Sequence, residues 1–374
     1  MASERDGIEV GNPWEAIEAC YAQQWTDGLP VVPPTEALVA GMLAAGPWTE
    51  NDVLLVEPAR GLAVTAYHAA INAVMAGCRP EYFPVVGAAL TAIGDPAFEL
   101  HGPATSTGGA ALMVIVNGPV RERLGIHGKA NLLGPGFRAN ATIGRALRLV
   151  LLNCLGCRPG VLDKSTQGWA GKYSLCFAED EESSPWEPLS VARGFEPGRS
   201  TVTVFAAESG HNVLSHGTAS PERLLALFAD VMAGLGSLSP GRSVIVLAPE
   251  HAGHLGRARW SRARTQAWLY EHAWRSLADL KRAGKTEPAF FSSPALLQWL
   301  YRHTDGRVPP SLPPDAEAAE RVTAQDETVR VHRGLGPDDI LLCVGGGEAG
   351  GHSAFFPSWS RGRSVPFVTK EVPS

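Results

Sequence analysis

The sequence predicts an α/β protein built as two similar halves, and three observations carry that expectation. Short β-type apolar runs alternate along the chain with segments of helical period, as α/β folds require. Short strings then recur in the same order in both halves, the mark of a duplication. The chain is also long enough for two ordinary domains: 374 residues, 45% hydrophobic and 19% charged.

The elements follow in order. Residues 13–25 fit a short helix, and Thr26–Thr35 is an extended segment stiffened by Gly28, Pro30, Pro33 and Pro34. Thr35 opens a helix to about Ala45, and Val53–Pro58 is a strand. Helices are expected over Val64–Gly77 and Glu81–Ile93, and Ala111–Pro119 is the clearest strand of the first half. The stretch Gly134–Gly160 is central: a glycine loop, an apolar helix with Asn140 as its N-cap, and a stop at Gly156, Pro159 and Gly160. Lys172–Ala178 and Thr201–Ala207 read as strands, Pro221–Leu235 as a helix and Ser243–Pro249 as a strand. One long amphipathic helix is expected over Ser261–Arg282. Residues 305–328, rich in Pro, Ala and Glu, read as a long loop or lid, and Ile340–Val344 is the last clear strand.

The repeats pair Glu57 with Glu208 at strand ends, Val74–Gly77 with Val231–Gly234, Val114–Pro119 with Val244–Pro249, Leu124-Gly125 with Leu255-Gly256, and Leu175-Cys176 with Leu342-Cys343. They predict halves spanning 1–195 and 196–374, related by a pseudo-two-fold axis with a cleft between them. Ligands of open α/β sheets bind beyond the carboxyl ends of strands, so those ends are searched first.

Composition narrows the function classes. A formal charge of -6 without a Lys/Arg run speaks against a nucleic-acid surface. No apolar run reaches the ~18 residues of a membrane span. The first residues lack a basic-then-apolar leader pattern, so a cytoplasmic place is expected. The six cysteines are then expected as thiols.

Four groups of residues bear chemistry. Cys78 follows Gly77 and precedes Arg79-Pro80-Glu81, which suggests a helix N-terminus where dipole and guanidinium favour a thiolate. It is the expected nucleophile, and a small buried side chain is the alternative. Cys154 and Cys157 sit at a helix end and read as buried structural thiols. The second group is Pro249–His254, whose Glu250 and His251 suit acid–base work. His251 and His254, with His352 beyond the glycine run, suit a divalent metal instead, Glu348 in that run is a candidate substrate-binding residue, and His211 and His216 follow a neighbouring strand. Surface histidines are the plainer alternative. Third, Arg138, Asn140 and Arg145 around the central helix, with Arg79, suit an anionic substrate. Fourth, Thr105, Ser106 and Thr107 form a hydroxyl-rich loop that either holds an anion or is a bare turn. Trp169 and Trp186 flank the acidic run Glu179–Glu182, itself expected as a solvated face.

The strings Thr26–Thr35, Ala73–Pro84, Arg138–Arg145 and Ser184–Pro188 resemble a bacterial family similar to proteins associated with UGSC-type thiol or selenol proteins. The resemblance spans most of residues 26–195 and reaches the Pro249–Ala252 region. It implies an enzyme with sulfur or selenium chemistry in its neighbourhood. The chain has no UGSC motif, so a selenol-type nucleophile does not transfer. The expected function is an enzyme that acts on a small anionic substrate with a cysteine thiol and His/Glu acid–base groups. A metal-dependent hydrolase or lyase on His251, His254 and His352 is one alternative. A non-catalytic partner subunit of a thiol or selenol protein is another. The expected partner is a small molecule, with a homodimer left open.

Overall fold

The computed structural model describes residues 7–218, 220–234, 241–285, 321–348, 350–359 and 366–373. Most of the expected 305–328 loop lies outside them. The chain forms two compact units that are not divided by a single cut: Met1–Glu179, Pro188–Glu208 and Val365–Ser374 make the first, Asp180–Glu187 and Ser209–Ser364 the second.

In the first unit, side-chain caps fix where helices begin. Asn12 accepts the Glu15 N–H ahead of α1 (Pro13–Ala22), and Thr35 accepts that of Leu38 ahead of α2 (Glu36–Ala44). β1 (Val53–Glu57) turns back into β2 (Leu62–Thr65), which takes residues that the periodicity assigns to a helix. Thr65 ends that hairpin because its side chain caps α3 (Ala66–Ala76) in a reciprocal box with His68. A 3-10 turn at Pro80–Tyr82 leads into α4 (Phe83–Ile93), which is buried on nearly all sides. The short α5 (His101–Thr105) precedes β3 (Ala111–Asn117), and α6 (Val120–Leu124) follows it. The long α7 (Arg138–Asn153) packs chiefly on α3 and leads to β4 (Cys176–Ala178). β4 is shorter than the expected 172–178 strand, because residues 170–172 form a 3-10 turn. α8 (Leu189–Ala192) and β5 (Thr201–Ala207) complete this part. Phe83, Phe98, Phe177, Phe205 and Met113 are among its fully buried side chains.

The second unit opens with β6 (His211–Leu214) and α9 (Pro221–Ala233), capped by Ser220. β7 (Ser243–Leu247) leads directly into α10 (Pro249–Arg257). The expected long helix breaks in two: α11 (Arg262–His272), then β8 (Trp274–Ser276), then α12 (Leu277–Arg282). The break has a cause. β8 pairs with β9 (Arg330–His332), the Arg330 guanidinium covers the Trp274 ring at 4.4 Å, and Ser276 caps α12 through the Asp279 N–H. β10 (Ile340–Val344) and β11 (His352–Pro357) follow. The core gathers Phe228, Leu269, Ile245, Leu342 and Phe355. The last strand, β12 (Val368–Glu371), belongs to the first unit.

Each unit holds a four-stranded sheet of one pattern. In the first the order is β4-β3-β5-β12, in the second β10-β7-β11-β6. From the β4 or β10 edge, each runs parallel, then antiparallel, then antiparallel. β3, β4 and β5 thus hold the places of β7, β10 and β11. The fourth places cross over: β6 follows β5 in the chain but pairs with β11, while β12 follows β11 but pairs with β5. The predicted match of the leading strands does not hold, since β1 pairs only with β2, in a sheet of their own. Among the described residues no helix is long and apolar enough to cross a membrane.

Candidate functional site

α7 begins at Arg138 with Phe137 as cap, so Asn140 lies inside the first turn and is not the N-cap expected. Its amide is fully engaged elsewhere: Oδ1 accepts the His127 N–H at 2.8 Å and Nδ2 donates to the His127 carbonyl at 2.9 Å. Arg138 donates from Nε to the Gly77 carbonyl at 3.0 Å. Arg145 grips Asp27 with Nε and Nη2 at 2.9 and 2.7 Å and also donates to the carbonyls of Leu29 and Pro30. Both arginines therefore hold the protein's own backbone and carboxylate, and Arg79 is exposed. The hydroxyl loop also turns on itself. Thr105 Oγ1 donates to the His101 carbonyl, Ser106 Oγ accepts the Gly108 N–H, and the Thr107 carbonyl accepts the Thr166 N–H.

Cys78 stands at the opposite helix end from the one expected. Gly77 closes α3 at φ 86°, and the Cys78 N–H returns to the Ala73 carbonyl at 3.0 Å. Its side chain is buried, and burial pushes the thiol up to about 12. The Thr142 hydroxyl and the Arg138 and Arg145 charges only partly oppose that rise. Burial raises Cys154 to about 12 as well, against an amide bond from Asn72, and it raises Cys157 and Cys176. All six cysteines are free thiols.

His251 is fully buried. Nε2 lies 3.0 Å from the Ser215 carbonyl, which can only accept, so Nε2 carries the proton. Nδ1, 2.7 Å from Ser353 Oγ, then accepts from that hydroxyl, whose oxygen takes the Ala248 N–H. Burial holds His251 below the usual histidine range, against the pull of the Ser215 carbonyl and the Glu250 charge. Gly351 is required here, because a Cβ on it would stand 1.7 Å from the Ser215 oxygen. His254 accepts from Arg257 Nη2 at 2.6 Å and lies 3.9 Å from Glu250. His352 is exposed, 3.1 Å from Asn212 Oδ1, with the His216 ring 5.4 Å away; Glu348 is exposed. Among the described residues no three His, Cys, Asp or Glu side chains are placed to hold a metal ion.

The sequence reading passed over the richest site. A cavity of about 480 Å³ opens in the first unit between the Thr26–Gly28 segment, Arg148 and Leu152 of α7, and the 159–173 stretch. At its wall Asp163 is buried and meets two cations: Lys172 Nζ at 2.9 and 2.7 Å, and Arg148 Nη1 at 3.1 Å. Ser165 completes the cluster, donating to Asp163 and accepting from Lys172. Burial works to raise the Asp163 carboxyl, but the bonds from Lys172 and Ser165 outweigh it and hold it below the usual range. Lys172 Nζ has its N–H groups engaged by both Asp163 oxygens and by Ser165 Oγ. Trp169 forms a flat wall. Its ring lies so close over Gly171 that a Cβ there would come within 2.3 Å of the indole. The sequence signal for this site is the density of Asp163, Lys164, Ser165, Gln167, Trp169 and Lys172 between glycines.

The acidic run differs from the solvated face expected: Glu179 and Asp180 are 0% and 2% exposed. Glu179 accepts from Asn117 and from the Leu189 N–H at 2.6 and 2.7 Å. Asp180, by the carboxyl end of β10, donates its N–H to the Val344 carbonyl, yet among the described residues neither side-chain oxygen has a hydrogen-bond partner. Comparison with family models, with curated proteins and with solved structures finds no match to this chain.

Proposed function

We propose that the chain is an enzyme acting on a small anionic substrate, held in the first unit's cavity by Arg148. One observation carries the reading. Arg148 is largely buried, with 12% of its side chain exposed, and lines the cavity, yet Asp163 is its one hydrogen-bond or ion-pair partner among the described residues. A guanidinium has five donors, so Asp163 leaves most of them unfilled beside the cavity. The volume suits a small molecule. Asp163, Lys172 and Ser165 fix one another and thereby aim Arg148. The cysteine and histidine groups named from the sequence take no part in this reading.

The test is substrate consumption. The protein is incubated with a mixture of small carboxylic and phosphoric acids, and each is followed by mass spectrometry. The reading expects at least one to be consumed, and at least tenfold more slowly by Arg148→Met. Equal consumption by the variant would remove the site. Retention of an acid without turnover would make the chain a binding subunit instead.

We also read the two units as an internal duplication. The shared sheet pattern, the equivalent places of β3 and β7, and the matched strings at both strands support it. A structure determined by experiment in which 111–117 and 243–247 fail to superpose in direction would refute it.

A further inference from the structure

The cavity's charges can be counted. Asp27 is answered by Arg145, and Asp163 by Lys172. Arg148 then leaves one positive charge at the wall. It is matched by one negative charge on a ligand, while a dianion would bring a surplus charge up to Asp163, only 3.1 Å from Arg148. The shape of the donor narrows the class further. A planar guanidinium fork fits the two oxygens of a carboxylate in parallel bonds. Away from Arg148, Leu152, Pro159, Tyr173 and above all the Trp169 indole seated on Gly171 give the wall an apolar, flat part, beside the polar Thr26 and Gln167. Aromatic faces favour offset or edge contact with another ring, beyond what area burial alone gives.

We infer that this cavity takes a monocarboxylate with a flat, apolar body, its carboxylate on Arg148 and its body against Trp169. The inference rests on the reading of the cavity as the substrate site. Ser165 offers the ligand no free proton, because its hydroxyl already donates to Asp163. Lys172 offers none either. Both are positioning residues, and Arg148 supplies the charged donors.

The experiment is calorimetric titration of the full chain with four probes: benzoate, benzamide, acetate and inorganic phosphate. Benzoate should bind at least tenfold tighter than the other three. Arg148→Met should erase the preference for benzoate over benzamide, and Arg148→Lys should lose most of it, since a point charge lacks the fork. Trp169→Ala should erase the preference over acetate while leaving that over benzamide. A thermal melt of each variant separates loss of binding from loss of fold, and the Arg148→Lys result stands if Arg148→Met unfolds. If phosphate binds more tightly than benzoate and loses that affinity in the arginine variants, the carboxylate class is wrong while the cavity reading stands. If the arginine variants change the affinity of no probe, the cavity reading itself falls. Failure of benzoate to bind at millimolar concentration overturns the inference.

Discussion

Single residues decide which groups are reactive. Cys78 is buried with its thiol raised to about 12, so iodoacetamide should leave it unmodified near neutral pH until the chain unfolds. Peptide mapping after alkylation checks this, and rapid native labelling of Cys78 would contradict it. Asp180 points the other way: a buried carboxyl group without a hydrogen-bond partner among the described residues is a standing penalty. Asp180→Asn should raise the melting point, with a gain of about 1 kcal/mol or more, whereas a lower melting point would mean that the charge is needed. Lys172→Met should destabilise by about 1–3 kcal/mol, because Asp163 then keeps only Arg148 and Ser165 as partners, and adding Asp163→Asn should restore part of that. Little of this was legible in the sequence. Arg145 and Arg148 lie one turn apart on the same helix. What separates them is Asp27, which claims Arg145 from 118 positions away. No local pattern records such a pairing.

At the scale of elements the sequence was a better guide. The β-branched runs at β3, β5, β7 and β10 became strands because each carries enough apolar surface to be buried on both faces. The break after α11 was not legible, since helical periodicity continues through Ala273 and only the distant partner β9 draws out β8. Side chains from one element often hold another. Arg145 on α7 clamps the 26–30 segment, and its partner Asp27 is nearly fully buried. Arg145→Ala should therefore destabilise by about 3 kcal/mol or more and make the peptide bonds around Gly28 sensitive to limited proteolysis. His251 ties α10 to β11 and to the Ser215 turn. Its folded value lies below the ordinary one of about 6.5, so between the two the unfolded chain binds more protons. The stability that this histidine contributes is complete above pH ~6.5 and is lost as pH falls towards the folded value. Melting curves between pH ~7.5 and ~5.5 should show the fall, and His251→Gln should flatten it.

At the scale of the whole molecule, the two sheets share a pattern but exchange their fourth strands. β5 is covered on one side by β3 and on the other by β12, in register from Thr201–Glu371 to Val204–Val368. Removing residues 366–373 should therefore weaken the first unit although the cut lies at the far end of the chain. Hydrogen exchange should rise along β5, while β7 and β10 keep their protection; the opposite distribution would contradict the exchange. The exchange also orders events on the ribosome. β5 is made early, but its neighbour β12 emerges only after nearly the whole second unit has been translated. At roughly 5–20 residues per second, the edge of β5 waits on the order of ten seconds, offering unpaired backbone to any passing strand. Within the nascent chain the free side of β5 is thus a point of exposure to misassembly, and slowing translation between β6 and β12 would lengthen that exposure.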